Sequence, residues 1–442
     1  MRQGFRETLL AGLAASVVIG AAGAAQAGGF ALREQSAAGL GQAFAGSAAG
    51  AGGLSSMFWN PATITKYEGM NSSWSFTGII PYAKTQVSPL TSNTVRLLSG
   101  GSTLSAGGTG DFAMDALLGT SAANYQFNEM IWLGLSVNAP FGLATKNPTN
   151  WAGQVYGRTS KVFSLEATPT IAFKLNDMLS FGVGVRVMHF RVRLTSAAAV
   201  TPNAPNVALE GNDTMIGFTA GVTFTPIQGT ELGIGYRSQM KPKLEGTLAT
   251  PLGVTNIASD VTLPDQITIG LRQRITPDLT LLAGFEWTHW KVLNRFPVVI
   301  TSGPAAGAQA TVLDFRYSDG WYASLGAEYR WNPNLTLRAG LGYEKSPVTN
   351  AVRSPRLPDS DRVWVTLGGS YQITNKMSLD LSYAHIFTKK APINIAAGHP
   401  AFAGLPFSGR AKGGLDIVSA GINYRWDDPK VVQGNLPVVR KY

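Results

Sequence analysis

The sequence predicts an all-β protein, a 14-stranded antiparallel transmembrane β-barrel, on three observations. A polar turn followed by an alternating strand recurs, with turn centres near residues 127, 177, 228, 277, 333 and 375. The alternating runs are ten to fifteen residues long, enough to cross a membrane when tilted. The chain also begins with an export signal. Short turns at one end and long loops at the other describe an up-and-down sheet, which closes because its edges would otherwise be exposed.

A β-propeller is an alternative fold for a chain whose turns repeat at this spacing. The turn centres are 42 to 56 residues apart, which is close to the length of a propeller blade. A blade, however, contains four short strands with a turn signal about every ten residues. The long uninterrupted runs of this chain favour the barrel.

Residues 1–27 are expected to be a signal peptide. Arg2 and Arg6 form a positive start, an apolar stretch follows, and Ala25-Gln-Ala27 is a small-x-small cleavage signal. The alternative is an N-terminal membrane anchor, which the cleavage signal disfavours. No later apolar run approaches the roughly 18 residues that a membrane helix needs. An exported chain with long alternating strands is expected in the outer membrane of a Gram-negative-type cell.

Fourteen strands fit between the turn centres, and an even number with both barrel ends in the periplasm is the bacterial rule. In the fifth strand, Phe181, Val183, Val185 and Val187 share one face, which is expected to meet lipid. The expected spans are 69–83, 112–125, 130–142, 159–174, 179–195, 212–226, 230–248, 261–275, 279–300, 313–331, 335–349, 360–373, 377–392 and 413–426.

The opposite strand face carries charged residues that are expected to pair inside the lumen. If Phe173 opposes Leu179, Glu166 opposes Arg186. If Trp331 opposes Leu335, Glu328 opposes Arg338. Opposite charges on facing strands stabilise a sheet, so we expect structural ion pairs rather than catalytic groups.

Composition and motifs exclude several function classes. The chain has no cysteine, carries a net charge of +10 and is only 14% charged, with no dense Lys/Arg cluster. These features disfavour nucleic acid and favour anionic lipopolysaccharide or an anionic ligand. The four histidines lie at outward or loop positions, and no Gly-x-Ser-x-Gly, His-Glu-x-x-His or phosphate-loop motif occurs. We expect no enzyme, no cofactor and no metal site.

Residues 28–66 do not alternate and are rich in glycine, so they form either a disordered leader or a hatch inside the lumen. Several motifs in and beyond this segment resemble those of the FadL/TodX family of outer-membrane transporters for hydrophobic compounds. They are Gly29-Phe30, Ser36-Ala-Ala-Gly-Leu-Gly-Gln-Ala-Phe-Ala-Gly, Asn60-Pro61-Ala62, Asn138-Ala-Pro-Phe-Gly-Leu and Leu179-Ser-Phe-Gly-Val-Gly. The resemblance covers nearly the whole chain after the signal peptide.

The resemblance implies a monomeric barrel at 67–426 plugged by an N-terminal hatch at 28–66. Long-chain fatty acids or aromatic hydrocarbons would be captured outside, held in an apolar pocket and released sideways into the bilayer at a kinked third strand. Phe30 would fill the pocket, and Asn60, Pro61 and Ala62 would brace the hatch near the kinked strand.

The resemblance also implies that Arg191 meets a fatty-acid carboxylate, although strict alternation places it on the lipid side unless a bulge follows Val187 or Arg191 lies above the membrane. Tyr424 and Trp426 are expected to address the barrel-assembly machinery, and 427–442 would be a periplasmic tail.

The third strand contains its own signal for a defect in the barrel wall. Pro140, in Asn138-Ala139-Pro140, cannot donate to a strand ladder, and Gly134 is the second candidate for a kink. Alternatively, Pro140 lies above the membrane. The sequence therefore predicts uptake of hydrophobic molecules, most simply long-chain fatty acids. The alternatives are a general diffusion porin, a transporter of aromatic hydrocarbons, or a structural or adhesin barrel.

Overall fold

The computed structural model of this chain describes residues 28–428. The predicted signal peptide at 1–27 and residues 429–442 of the predicted tail lie outside them. The described residues form one sheet of twenty strands with a few short helices. None of the helices in this range combines the length and apolar character needed to span a bilayer.

Fourteen of these strands pair in a closed antiparallel ring, as predicted. The last strand pairs with the first from Asn71↔Arg425 to Val87↔Gly409, which closes the barrel. The ring runs β1 (Met70–Val87), β2 (Ala116–Gln126), β3 (Ile131–Asn138), β5 (Thr159–Lys174), β6 (Leu179–Ala197), β7 (Asn206–Ile227), β8 (Thr230–Arg237), β11 (Gln266–Arg274), β12 (Leu279–Thr288), β15 (Gly320–Asn332), β16 (Leu335–Lys345), β17 (Arg362–Thr374), β18 (Met377–Thr388) and β20 (Phe407–Arg425).

Six further strands extend the wall at the end with the long loops. Several strands predicted as continuous are therefore split in two, such as 230–248, which becomes β8 and β9. The six are β4 (Gly142–Lys146), β9 (Lys243–Thr250), β10 (Gly253–Asp260), β13 (Arg295–Ile300), β14 (Gln309–Asp314) and β19 (Ala391–Ile395).

The recurring polar turn has a local cause. Its first polar side chain accepts hydrogen bonds from the backbone N–H groups two and three residues later, which closes an Asx- or ST-turn. Asn128 Oδ1 accepts from Met130 N and Ile131 N, both at 2.8 Å. Asn176, Asn332 and Thr374 make the same pair of bonds, and Thr276 accepts from the equivalent N–H groups of its own turn.

The first predicted register is wrong by two residues. Phe173 pairs with Phe181 rather than Leu179, because Leu175 N bonds to Leu179 O (3.0 Å) and the strands meet there. A shift of two preserves the faces, so the outward side chains stay apolar.

The second predicted register, between β15 and β16, is wrong only at the pair next to the turn. Asn332, not Trp331, pairs with Leu335, because a bulge at Trp331 absorbs one residue. Glu328 nevertheless faces Arg338 directly.

Residues 28–66 fill the lumen and are almost wholly buried. They contain helix α1 (Ala37–Leu40) and the 3-10 helices Ser47–Ala49, Leu54–Phe58 and Pro61–Lys66. Inward glycines of the wall let the hatch backbone approach. A Cβ at Gly233 or Gly235 would lie 1.8 Å from the carbonyl oxygen of Ala48 or Trp59. A second helix, α2 (Pro89–Leu98), follows β1 outside the lumen.

Candidate functional site

The wall of the barrel is interrupted after β3. Pairing of β3 with β2 ends at Ser121↔Val137, so residues 116–120 of β2 have no partner on that side. Pairing with β5 stops at Asn138↔Glu166 and resumes on β4 at Gly142↔Phe163. Three residues of one strand therefore face two of the other, a β-bulge at Ala139–Phe141. Pro140 lies at its centre.

The hatch supplies the hydrogen bonds that the bulge frees. Leu32 N donates to Pro140 O (2.8 Å), Gly142 N donates to Phe30 O (2.9 Å), and Ala31 and Phe141 form an antiparallel bridge. Residues 30–32 thus act as a short replacement strand inside the wall. A break in backbone pairing at membrane depth is tolerable only where protein covers it.

Two buried side chains complete this arrangement. Gln35 accepts from Asn138 Nδ2 (3.2 Å) and Ala139 N (3.3 Å) and donates to Ala139 O (2.9 Å). The Ser164 hydroxyl accepts from Phe141 N and donates to Phe141 O, both at 2.8 Å. Sequence reasoning missed Gln35 and Ser164. The run Arg33-Glu34-Gln35 in a segment of small residues was the signal for the first.

An apolar cavity of about 240 Å³ lies beside the replacement strand, toward the long-loop end. Phe30 lines it and packs its ring against those of Trp290 (4.9 Å between centroids), Phe141 (5.6 Å) and Phe190 (6.4 Å). Aliphatic side chains, including Val162, form much of the remaining wall. The Phe30 ring therefore faces the cavity, while Ala31 and Leu32 pair with the bulge.

Arg356 is the one basic side chain among the described residues that line this cavity. Its guanidinium makes only long contacts, to Thr159 O (3.3 Å), Ser160 Oγ (3.4 Å) and Thr195 O (3.4 Å). Burial lowers the pKa of Arg356 to about 10, with no carboxylate acting in the other direction. It remains a cation at neutral pH. Nothing in the sequence distinguished Arg356 from other loop arginines.

Arg191 does not reach the cavity. Its side chain is 60% exposed on the outer face of β6 and lies 3.5 Å from Glu210. The ladder between β6 and β7 is regular through this region, so no bulge turns Arg191 inward. Because successive side chains of a strand point to opposite faces, the Arg191 side chain points outward.

Asn60, Pro61 and Ala62 lie away from the interrupted strand, against β6 and β7. Asn60 Nδ2 donates to Val222 O (2.9 Å) and to Ala48 O (2.7 Å), and Asn60 Oδ1 accepts from Ala62 N (3.0 Å). The motif caps the third 3-10 helix and fixes the hatch to the wall. The bulge itself is covered by residues 30–35.

Gly134 lies inside the regular ladder, opposite Asn124 and Thr170. The irregularity is therefore at Pro140 and not at Gly134. A Cβ at Gly134 would come within 2.9 Å of Met57 Cε and 3.1 Å of Ile64 Cδ1, because the hatch packs directly on this point of the wall.

The four lumen charges lie in two networks. Glu166, with no exposed surface, contacts Arg186 (2.8 Å) and also Arg237 (2.6 Å). Glu328 contacts Arg338 (3.0 Å) and Arg272 (3.5 Å). Both networks join strands of the wall, and the second continues from Arg338 through the hydroxyl of Ser370 to Asp380.

The first described residues of the hatch are held by buried carboxylates near β16. Gly28 N donates to Glu344 Oε1 (2.8 Å) and Gly29 N donates to Asp359 Oδ2 (2.9 Å). Arg33 links Glu344 (3.0 Å) to Glu286 (2.5 Å). The start of the hatch is therefore anchored next to the cavity that Phe30 lines.

Comparisons with known proteins agree with this architecture. Outer membrane protein P1 of Haemophilus influenzae is 26% identical over 427 residues, covering 87% of this chain and 91% of that protein. The long-chain fatty acid transport protein of Escherichia coli O6:H1 is 24% identical over 423 residues, covering 85% and 90%.

Solved structures share the fold. A FadL homologue of Pseudomonas aeruginosa has a TM-score of 0.79 at 22% identity, covering 90% of this chain and 100% of that one. The toluene transporter TodX of Pseudomonas putida has a TM-score of 0.62 at 16% identity, covering 86% and 95%.

A family model described as "Outer membrane protein transport protein (OMPP1/FadL/TodX)" matches residues 18–426. This match covers nearly all of the chain, including the hatch and the fourteen barrel strands. The chain therefore belongs to the OMPP1/FadL/TodX family and is a transporter of the outer membrane, not an enzyme.

Proposed function

We propose that this protein takes up long-chain fatty acids, binding the hydrocarbon chain in the cavity beside Phe30 and the carboxylate at Arg356. The observation that carries the proposal is the partly buried guanidinium of Arg356, which lies in a largely apolar wall and has no carboxylate acting on it. The one carboxylate in that wall, Asp314, pairs with Arg316 (2.7 Å). Withdrawing a charge from water without a counter-charge costs free energy, and a carboxylate of the ligand lowers that cost. Curated relatives named as long-chain fatty acid transport proteins are consistent with this substrate.

The hydrocarbon chain supplies most of the binding free energy in this proposal. Each methylene group moved from water to the cavity contributes about 0.8 kcal/mol. The carboxylate–guanidinium contact adds about 1.5–3 kcal/mol, since hydrogen bonds to charged groups are stronger than neutral ones. Arg356 would therefore select for the acid rather than provide bulk affinity.

Release would follow the interrupted wall. Phe30 lines the cavity, and Ala31 and Leu32 pair with the bulge, so one short segment separates the two. A ligand that displaced the Phe30 ring would disturb the Ala31–Phe141 bridge. The opened wall would lead into lipid, which avoids exposing the hydrocarbon chain to periplasmic water.

The test compares an acid with a neutral ligand of the same length. Oleate and oleyl alcohol would be titrated into purified protein, wild type and R356Q, by displacement of a fluorescent fatty acid. R356Q is expected to weaken oleate binding about 10- to 100-fold and to change alcohol binding less than about threefold. R96Q is the matched control, because Arg96 is an exposed arginine on α2 that does not line the cavity. Equal affinity of wild type and R356Q for oleate would refute the role of Arg356.

Transport of aromatic hydrocarbons is the second candidate. The ring cluster of Phe30, Phe141, Phe190 and Trp290 at the inner end of the cavity favours it, since stacked or edge-on contacts suit a small aromatic ligand. This function would be supported if toluene displaced the probe equally from wild type and R356Q, and oleate displaced it from neither protein.

A further inference from the structure

The outer stripe of β6 changes character along the strand. Its outward side chains are apolar from Phe181 through Val187, which are 37% and 39% exposed. His189 follows, and then Arg191 and Arg193, which are 60% and 48% exposed at the side chain. All of these residues point away from the lumen and from the cavity.

The two arginines are part of a larger cationic group. Lys161 on β5 is the direct cross-strand partner of Arg193, so two like charges face each other on the same surface. Glu210 on β7 contacts Arg193 (2.6 Å) and Arg191 (3.5 Å). Three cations and one carboxylate leave a net charge of +2 on this patch.

The surroundings do not neutralise the patch. The next outward charges, Lys243 and Glu245 on β9, pair with each other at 3.3 Å. Like charges directly opposite each other destabilise a sheet. The cross-strand position of Lys161 opposite Arg193 is therefore unfavourable, and an anion bound beside Lys161 would relieve the repulsion.

The height of the patch identifies which anion can reach it. From Leu179 at the short-turn end to Arg191 there are twelve residues, which rise roughly 30 Å along the membrane normal at about 3.3 Å per residue and a tilt of about 40°. The apolar band of such barrels is about 25 Å tall. Arg191 and Arg193 therefore lie just above the band, on the side of the long loops.

Exposed apolar side chains continue directly below the cations. Val187 on β6 is the cross-strand partner of Ile216 on β7, which is 72% exposed, and Leu165 on β5 is the partner of His189. A ligand at this place can thus put a phosphate on the arginines and acyl chains on the apolar surface beneath. Free phosphate would use only the first of these contacts.

We propose that Lys161, Arg191 and Arg193 form a binding site for a phosphate group of an outer-leaflet lipid, the glucosamine phosphate of lipopolysaccharide. The fork geometry of a guanidinium matches phosphate oxygens in a bidentate contact. Glu210 holds both arginines from one side and thereby orients them. The site lies on the outer wall and is independent of the transported ligand.

The experiment compares two double variants with the same loss of charge. R191Q/R193Q removes the site, and K345Q/K389Q removes two outward cations at the same end of the barrel that Asp361 already contacts (3.1 and 3.2 Å). Native mass spectrometry of purified protein with bisphosphorylated lipid A would measure binding, with dephosphorylated lipid A as the second arm. Thermal unfolding of each variant would verify that it is folded.

Lipid A binding is expected to fall at least tenfold in R191Q/R193Q and to stay within about twofold in K345Q/K389Q. Dephosphorylated lipid A is expected to bind wild type and R191Q/R193Q with the same affinity. Millimolar inorganic phosphate is expected not to displace lipid A from wild type. An equal loss in both double variants would show general surface attraction and overturn the proposal, as would displacement of the lipid by inorganic phosphate.

Discussion

At the residue scale, the buried side chains of the lumen show that positive charges there depend on a small number of carboxylates. Glu166 is the single carboxylate that Arg186 and Arg237 share, and all three side chains are buried. Removal of a buried partner costs about 3–5 kcal/mol, because the surviving charge is left uncompensated. The cost should therefore follow the charge that remains unpaired, and not the number of hydrogen bonds that the substitution removes.

This argument predicts an order of stabilities. E166Q leaves two guanidinium groups facing each other and should lower the free energy of unfolding most. R186Q leaves a one-to-one pair with Arg237 and should be milder, and E166Q/R186Q should be more stable than E166Q alone. Urea unfolding in detergent, followed by tryptophan fluorescence, measures the series with E68Q on the exposed Glu68 as control. Equal losses in the two single variants and the double variant would contradict the pairing.

A second prediction at this scale concerns the first residue after the expected cleavage site. If processing at Ala27 frees the amino group of Gly28, an ammonium group lies beside Glu344, whose side chain is 5% exposed. A chain that begins at Gly28 should then be more stable than one with an additional N-terminal methionine, by about 1–3 kcal/mol. Thermal unfolding of both refolded chains tests this. In an E344Q background the difference should disappear, and a difference that persists there would point to sterics instead.

At the element scale, alternation and turn chemistry made the strands predictable from the sequence. Five of the six recurring turns contain a side chain such as Asn176 that fixes its own turn, so this information is local. The register was not predictable in the same way, because it depends on whether Leu175 bonds to Leu179 across the turn. The six additional wall strands and the position of Arg356 depend on contacts between distant loops, which periodicity does not describe.

The contact between hatch and wall gives a prediction for one element. Gly235 on β8 faces the carbonyl of Trp59 so closely that any side chain must move the hatch. We expect wild type to show little conductance in planar bilayers, and G235L to show a larger, fluctuating conductance while the barrel still folds. G78A is the control, because its added Cβ meets only Val418 O at 3.9 Å. A large, steady conductance from wild type would indicate a porin instead of a plugged transporter.

At the scale of the whole molecule, the proposed pathway depends on whether the hatch segment 30–32 can leave the wall. Ala31 and Phe141 form a bridge flanked by the bonds Leu32 N to Pro140 O and Gly142 N to Phe30 O. They are therefore a non-hydrogen-bonded antiparallel pair, with Cα atoms expected about 4.5 Å apart. That separation suits a disulfide, and the chain contains no other cysteine to compete.

The last prediction uses this pair to hold the wall closed. Oxidised A31C/F141C should lose fatty-acid uptake by cells almost completely, because the replacement strand can no longer separate from the bulge, while binding of fatty acid at the cell surface persists. Reduction should restore uptake to the level of the two single variants, which control for the loss of the Phe141 ring. If uptake continued through a cross-link verified by mass spectrometry, the ligand would have to pass down the lumen past the rest of the hatch. Lateral release would then be wrong, whereas the carboxylate role of Arg356 would stand or fall on its own binding test.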